Sequence, residues 1–241
     1  MKYSAFAQLS KTYLNNKLIS SFGARVDNNS FTESKSAPNF SPRASLSYKL
    51  SEKSSLNANL GRFFQLPSYT ILGYTDSLGQ YLNKDVDYIR CDHAVFGYEF
   101  NPNNYSKITV EGFYKQYNNY PFSIRDSVSL ANLGGDFGVI GNEDVSSSSE
   151  GKSYGIELLA QQKLSESIYG ILSVTYYTSL FEDKNLDLIP SSWDNRYIFN
   201  LAAGKKFKRN IELGVKFRYS GGAPYTPVSY THLTLPTILL V

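Results

Sequence analysis

Cysteine is almost absent. Cys91 stands alone among 241 residues, which excludes a disulfide framework and any cysteine-rich zinc site. Histidine is nearly as scarce: His93 and His232 are the only two, and neither has neighbours at zinc-site spacing, so no metal ligand set is expected. Charged residues make up 19% of the chain, against about a quarter in ordinary soluble domains. The net charge of +3 is too mild for a nucleic-acid footprint, and no nucleic-acid partner is expected. No apolar run approaches the roughly 18 residues of a membrane-crossing helix. Nor does the N-terminus show the charged, apolar, small-residue order of a signal peptide. It opens in strand-like sequence, and Met1 is the only methionine, so the chain reads as a fragment beginning at an internal Met. Its length suits one large domain or two small ones.

What is plentiful is alternation and aromatics. Tyr numbers 20 and Phe 15. In 211–220, Ile211, Leu213, Val215, Phe217 and Tyr219 fall on one face, with Glu212, Gly214, Lys216, Arg218 and Ser220 on the other. A period of two makes a strand and no coherent helix face. The same pattern runs through 108–115, 156–161 and 196–203, with weaker copies near 2–13, 17–28, 42–50, 54–64, 91–101 and 168–179. Ten strands are expected, and no helix.

The connections carry more information than the strands. Short polar turns sit at Asn15-Asn16, 51–54, 101–104, 165–167 and 207–210; long segments lie at 29–41, 65–90, 118–150 and 180–193, and another opens at Gly221. Short and long alternate throughout. Structureless loops of twenty to thirty residues argue against a compact soluble domain. They suit an outer-membrane barrel, with short periplasmic turns and long extracellular loops. Strands of about 11 residues reach about 36 Å, and a tilt of about 45° gives a spanning height near 25 Å. Tyr105 and Tyr169 follow short turns, while Tyr117, Tyr120 and Tyr219 approach the long ones, as expected of interfacial girdles. The polar stripe Glu111, Lys115, Glu157, Gln161, Arg196, Asn200, Glu212, Lys216 and Arg218 is expected to face a hydrated lumen.

Catalytic chemistry finds little support. Cys91 and His93 share a strand face, yet no orienting acid or oxyanion donor accompanies them. Asp85 with Asp87, and Asp183 with Asp187, lack the spacing of a calcium loop and read as solvated acids. Gly134-Gly135 and Gly221-Gly222 belong to no phosphate loop. Ser146–Ser149 reads as a mobile low-complexity loop. No catalytic residue, metal or cofactor is expected. Ligand contacts are expected on the long loops, which a rigid scaffold positions: Tyr69, Tyr74 and Tyr81 on one, Tyr120, Phe122, Arg125 and Phe137 on another.

Several segments resemble the barrels of TonB-dependent outer-membrane receptors. They are Gly61-Arg62-Phe63-Phe64-Gln65 with Pro67; Tyr154-Gly155-Ile156-Glu157-Leu158 leading to Lys163-Leu164; Trp193-Asp194-Asn195-Arg196 leading to Gly204; and Glu212-Leu213-Gly214 running through Arg218-Tyr219-Ser220-Gly221-Gly222 to Pro224-Tyr225-Thr226-Pro227. The resemblance implies an all-β, antiparallel transmembrane β-barrel fragment: about ten middle-to-late strands of a 22-stranded barrel, with neither the plug domain nor the energy-coupling box. It implies part of an active transporter that is not an enzyme and imports a scarce large nutrient such as a siderophore, cobalamin or glycan. Its implied partners are outer-membrane lipid, a small-molecule or glycan ligand, a surface lipoprotein, and the TonB complex acting through the missing N-terminal region. Residues 1–227 form the partial barrel on this reading. Residues 228–241 break the pattern, and Val228-Ser229-Tyr230-Thr231-His232-Leu233 looks like a translated sequencing adapter, so this stretch reads as a non-native tail. The alternative is a ten-stranded barrel, either a passive porin or an outer-membrane hydrolase. A soluble sandwich or adhesin is opposed by the long loops and apolar strand faces.

Overall fold

The computed structural model describes residues 1–33, 38–134, 140–165 and 167–224. Ten long strands run antiparallel in chain order: β1 (Lys2–Tyr13), β2 (Leu18–Asn29), β3 (Asn39–Ser51), β4 (Ser54–Gln65), β5 (Ile89–Asn103), β6 (Ser106–Ser123), β8 (Val145–Ser165), β9 (Ile168–Glu182), β11 (Tyr197–Lys206) and β12 (Glu212–Ser220). Two short strands lie off this path: β7 (Val128–Ser129) on β6 and β10 (Leu188–Pro190) on β9. The β1–β2 turn is tight because Asn15 and Asn16 take φ of 52° and 67°, a left-handed conformation that Asn tolerates better than most residues. β1 and β12 each pair on one side only, so the sheet is an open wall.

The register shows that the wall is sheared. One row of paired residues crosses all ten strands, from Tyr13, Leu18 and Tyr48 through Leu56, Tyr98, Val110, Leu158 and Val174 to Phe199 and Tyr219. The row starts at the last residue of β1, beside a short turn, and ends on β12 seven residues above one. Seven residues are roughly 23 Å and nine strand steps roughly 43 Å, a slope near 30°. Barrel closure demands a stagger of this order.

The same row separates the two faces. It is apolar along its whole length. Its neighbours on the other face, such as Ser47, Asn57, Gly97, Glu111, Glu157 and Asn200, are polar or small. The apolar face is bare: Phe22, Phe40, Leu60, Phe96, Ile156 and Phe217 are each more than half exposed. A soluble sheet would bury such a face against a second layer. Among the described residues, the fully buried apolar side chains are instead Ile71, Leu72, Val86, Tyr88, Leu130, Ala131, Val145 and Phe181, all at the long-loop end. Among the described residues the wall therefore has no core of its own, and the packed core belongs to the loop end.

Two expectations are corrected. The segment 118–150 is strand at both ends: β6 and β8 keep pairing above the apolar band, through Tyr120–Ser149, Phe122–Ser146 and Ser123–Val145. Ser146–Ser149 are thus strand residues, and Ser149 is fully buried. Beyond the apolar band the contrast between the two faces ends, so alternation no longer marks the strands. A short helix, α1 (Tyr69–Leu72), also forms in the 66–88 connection and buries Ile71 and Leu72.

Candidate functional site

The polar face is the concave one. Residues of six strands, from Gln65 on β4 to Ile198 on β11, line one cavity of about 600 Å³ at the long-loop end. Its upper wall is aromatic. Tyr120 lies 4.7 Å from Phe181 and 6.4 Å from Tyr117, ring centre to ring centre, and Tyr117 lies 5.3 Å from Phe181. Phe113, Tyr177 and Trp193 complete that wall. Glycines make room for two of these rings. A Cβ at Gly151 would stand 2.3 Å from the Phe181 ring, and one at Gly155 would stand 2.6 Å from the Tyr177 Cβ. His93 and Lys115 stand among the rings, and Glu111 and Glu157 lie below Phe113. Glu111 stands directly opposite Glu157 across β6 and β8, and neither enters an ion pair among the described residues. His93 Nε2 is buried there without a hydrogen-bond partner among them.

The long loops close over this cavity as one packed unit. Asn83, with no exposed surface, donates to the carbonyls of Ile71 and Glu143, both at 2.8 Å, and accepts the Val145 N–H at 3.1 Å. Asn132 donates to the carbonyls of Phe181 and Glu182. Ser192 donates from both its N–H and its hydroxyl to the Ala131 carbonyl, at 3.1 and 2.8 Å. Ile71, Leu72, Val86, Leu130 and Val145 form the apolar centre of the unit. Ala131 projects from it into the cavity lining.

Of the described loop residues expected to meet ligand, Tyr120 alone lines the cavity, and it stands on β6 rather than on a loop. Phe122 is also on β6, paired with Ser129 and Ser146. Tyr69 opens α1 and is 82% exposed. Tyr74 is half-buried in the same connection. Tyr81 packs edge-on against Phe31 at 5.2 Å. Arg125 faces solvent, 2.9 Å from Asp126 and 3.6 Å from Glu143, and holds the Asp126 carboxyl below its usual range through their hydrogen bond. Phe137, Gly135, His232 and residues 228–241 lie outside the described residues.

The register puts Glu111, Lys115, Glu157, Lys216 and Arg218 on the concave face; Glu212 is there too, at the short-turn end, accepting the Tyr169 hydroxyl at 2.5 Å. Arg196 departs from the stripe. It precedes β11 with φ of 62°, pairs with Asp194 at 3.0 Å and donates to Thr178, which stands beside Tyr154 on the apolar face. Tyr117, expected at the lipid girdle, lines the cavity instead. Sequence reading missed Trp193, Phe181, Tyr177 and Phe113. Phe181 and Tyr177 alternate with Leu180 and Thr178, and β9 carries that alternation to Glu182, past the expected strand end at 179. Cys91 and His93 share the concave face with Lys115 and Tyr117 opposite. Among the described residues, no three His, Cys, Asp or Glu side chains are placed to hold a metal.

An open, sheared, antiparallel wall with a bare apolar face invites comparison with known barrels. The family model described as TonB dependent receptor-like, beta-barrel matches residues 1–237. The chain belongs to this family. Among solved structures, the ferripyoverdine receptor of the outer membrane of Pseudomonas aeruginosa is similar at a TM-score of 0.65 and 17% identity, covering 91% of this chain and 28% of that one. The alcaligin outer-membrane receptor FauA of Bordetella pertussis is similar at 0.61 and 18%, covering 92% and 38%. The FrpB iron transporter of Neisseria meningitidis is similar at 0.64 and 14%, covering 91% and 32%. No curated protein sequence matches. The chain spans about a third of the length of these receptors, whose likeness at such identity shows the fold. The TonB-dependent receptor barrel resides in the bacterial outer membrane, with its long loops at the extracellular end.

Proposed function

We propose that this wall belongs to an outer-membrane active transporter that binds a scarce large nutrient, a siderophore, cobalamin or glycan, in the aromatic cavity under the interlocked loops. Energy for import would come from the TonB complex, through parts of the protein beyond this chain. The observation that carries the reading is the cavity itself: a space of about 600 Å³ on the concave face, with clustered rings and polar groups among and beneath them. Ligand sites combine an apolar, aromatic surround with a few fixed polar groups in this way. On this reading the chain is not an enzyme. The lipid-facing surface needs only outer-membrane lipid, and a surface lipoprotein that delivers ligand to the mouth is compatible with the exposed loop tips at Tyr69 and Leu78.

Trp193 provides the test. It lines the cavity yet is 60% exposed, so removing its ring leaves the loop unit packed. In the full-length receptor at equal surface expression, Trp193→Ala should weaken ligand binding by about 2 kcal/mol, the scale of an aromatic anchor at a binding hot spot. Tyr69→Ala, far from the rings, should bind like the parent. Uptake of ferric chelates measured with and without an energised inner membrane tests the transport step. Uptake that persists without energy would favour a passive porin.

A further inference from the structure

The extracellular mouth is acidic although the chain is not. The described residues of the four connections at that end, within 30–38, 66–88, 124–144 and 183–196, include ten acidic and four basic ones, in a chain of net charge +3. The short-turn end has the opposite sign, with Lys49, Lys53, Lys205, Lys206, Lys208 and Arg209. At the mouth all but one of these bases, Lys184, are already spent on neighbours. Lys84 lies 3.6 Å from Glu33, Arg125 is held by Asp126 and Glu143, and Arg196 by Asp194. Asp85, Asp144 and Asp187 are exposed and enter no ion pair among the described residues. The sign continues inward, where Glu111 and Glu157 face each other against one cation, Lys115. Like charges set opposite one another on a sheet are unfavourable. A bound cation would relieve them. The rings above add their own preference, since an aromatic face attracts positive charge.

We propose that the ligand admitted by this mouth carries net positive charge, as a cationic metal chelate or another organic cation. The proposal rests on the cavity being the ligand site, and adds what charge that ligand bears. A cleft lined by one sign of charge raises the association rate of an opposite charge by about ten- to a thousandfold. It repels polyanions by the same field. Two parts of the mouth act at different stages. The exposed carboxylates act at a distance and set the association rate. Glu111 and Glu157 act on contact and set how long the ligand stays.

Three ferric chelates of similar size test this on the full-length receptor in lipid nanodiscs: a monocationic trihydroxamate, a neutral trihydroxamate and a trianionic triscatecholate. At low salt the cation should associate about tenfold faster than the neutral chelate, with the trianion slowest. At about 1 M salt, where the screening length is about 3 Å, the rates should converge. The triple variant Asp85→Asn, Asp144→Asn, Asp187→Asn should remove most of the cation's advantage and leave the neutral chelate's rate alone. Glu111→Gln with Glu157→Gln should raise the cation's dissociation rate several-fold without that effect on the neutral one. A trianion that associates as fast as the cation overturns the proposal, as does a triple variant that keeps the parental order. Binding of all three chelates alike, insensitive to salt, overturns the charge inference but leaves the receptor reading standing. Binding of none, by a correctly inserted receptor, overturns the inference and the chelate branch of the proposed function together.

Discussion

Asn83 does more for the loop unit than any charged residue near it. Its amide donates to two carbonyls on different segments and accepts one N–H, and it is wholly buried. Asn83→Ala takes this partner from the Glu143 carbonyl and the Val145 N–H, at about 1–3 kcal/mol each for a buried group, while the Ile71 carbonyl keeps the Tyr74 N–H at 3.2 Å. The loops should loosen while the wall stays paired. Hydrogen exchange at the Val145 amide should accelerate strongly, and protease should nick 66–88, with amides of β8 near Leu158 unchanged. Asn83→Asp is the sharper variant. It keeps the acceptor for Val145 but sets a carboxylate against two carbonyls, so it should be at least as damaging as Ala. If Asp protects the Val145 amide as well as Asn does, the donor half of the bridge carries nothing. Such bridges were invisible in the sequence, because one Asn in a polar loop looks like any other. Trp193 was visible as the only tryptophan, but only the fold showed that it, Phe181 and Tyr177 meet at one cavity.

At the scale of the element, alternation revealed every long strand, because an apolar face on one side and a polar one on the other force a period of two. It failed where that contrast stops. β6 and β8 run past the apolar band as a polar hairpin, and the sequence there, with four consecutive serines, carries no pattern to read. Leu158 and Leu159 test the assignment of faces. Leu158 pairs with Val110 and Val174 on the apolar face; Leu159 pairs with Thr109 and Ser173 on the concave one. The two differ by one position and by nothing in chemistry. Leu158→Arg should cost about 2–4 kcal/mol in folding into lipid vesicles, the range for an arginine near the bilayer midplane. Leu159→Arg reaches a hydrated interior and should cost far less. Equal losses would mean that the faces are wrongly assigned. The element scale also bears on how the ligand site is probed by deletion. Removing 122–148 would take away Leu130, Ala131 and Val145 and uncover Ile71, Leu72 and Val86. That deletion should disorder 66–88 as well, so lost binding would not be specific to one loop.

For the whole molecule the decisive property is that the wall is open. Turn asymmetry in the sequence anticipated a barrel and its orientation, since five short turns alternate with the long connections. Closure could not be read there, because the partner of a strand is set by the register of the whole sheet. β1 and β12 each leave one edge unpaired, and all their residues are exposed. In lipid each unpaired backbone group costs several kcal/mol, and in water a long free edge invites pairing with another chain. Residues 1–224 produced alone should therefore aggregate or refold poorly in detergent. Supplying the remaining strands, in the full-length receptor, should restore a monomer whose gel migration changes on heating. The ten-stranded porin and hydrolase readings make the opposite forecast, because a ten-stranded barrel must join β1 to β12. A cross-link between Cys residues introduced at Ala7 and Val215, both on the apolar face, separates the two. In a closed ten-stranded barrel these neighbouring edges would bring such a pair within disulfide reach once the register is scanned along β12; disulfides require Cα atoms about 4.4–6.8 Å apart. In the open wall no register along β12 should cross-link within one chain, and a monomeric fragment that does so would replace the large-barrel reading with a small closed one.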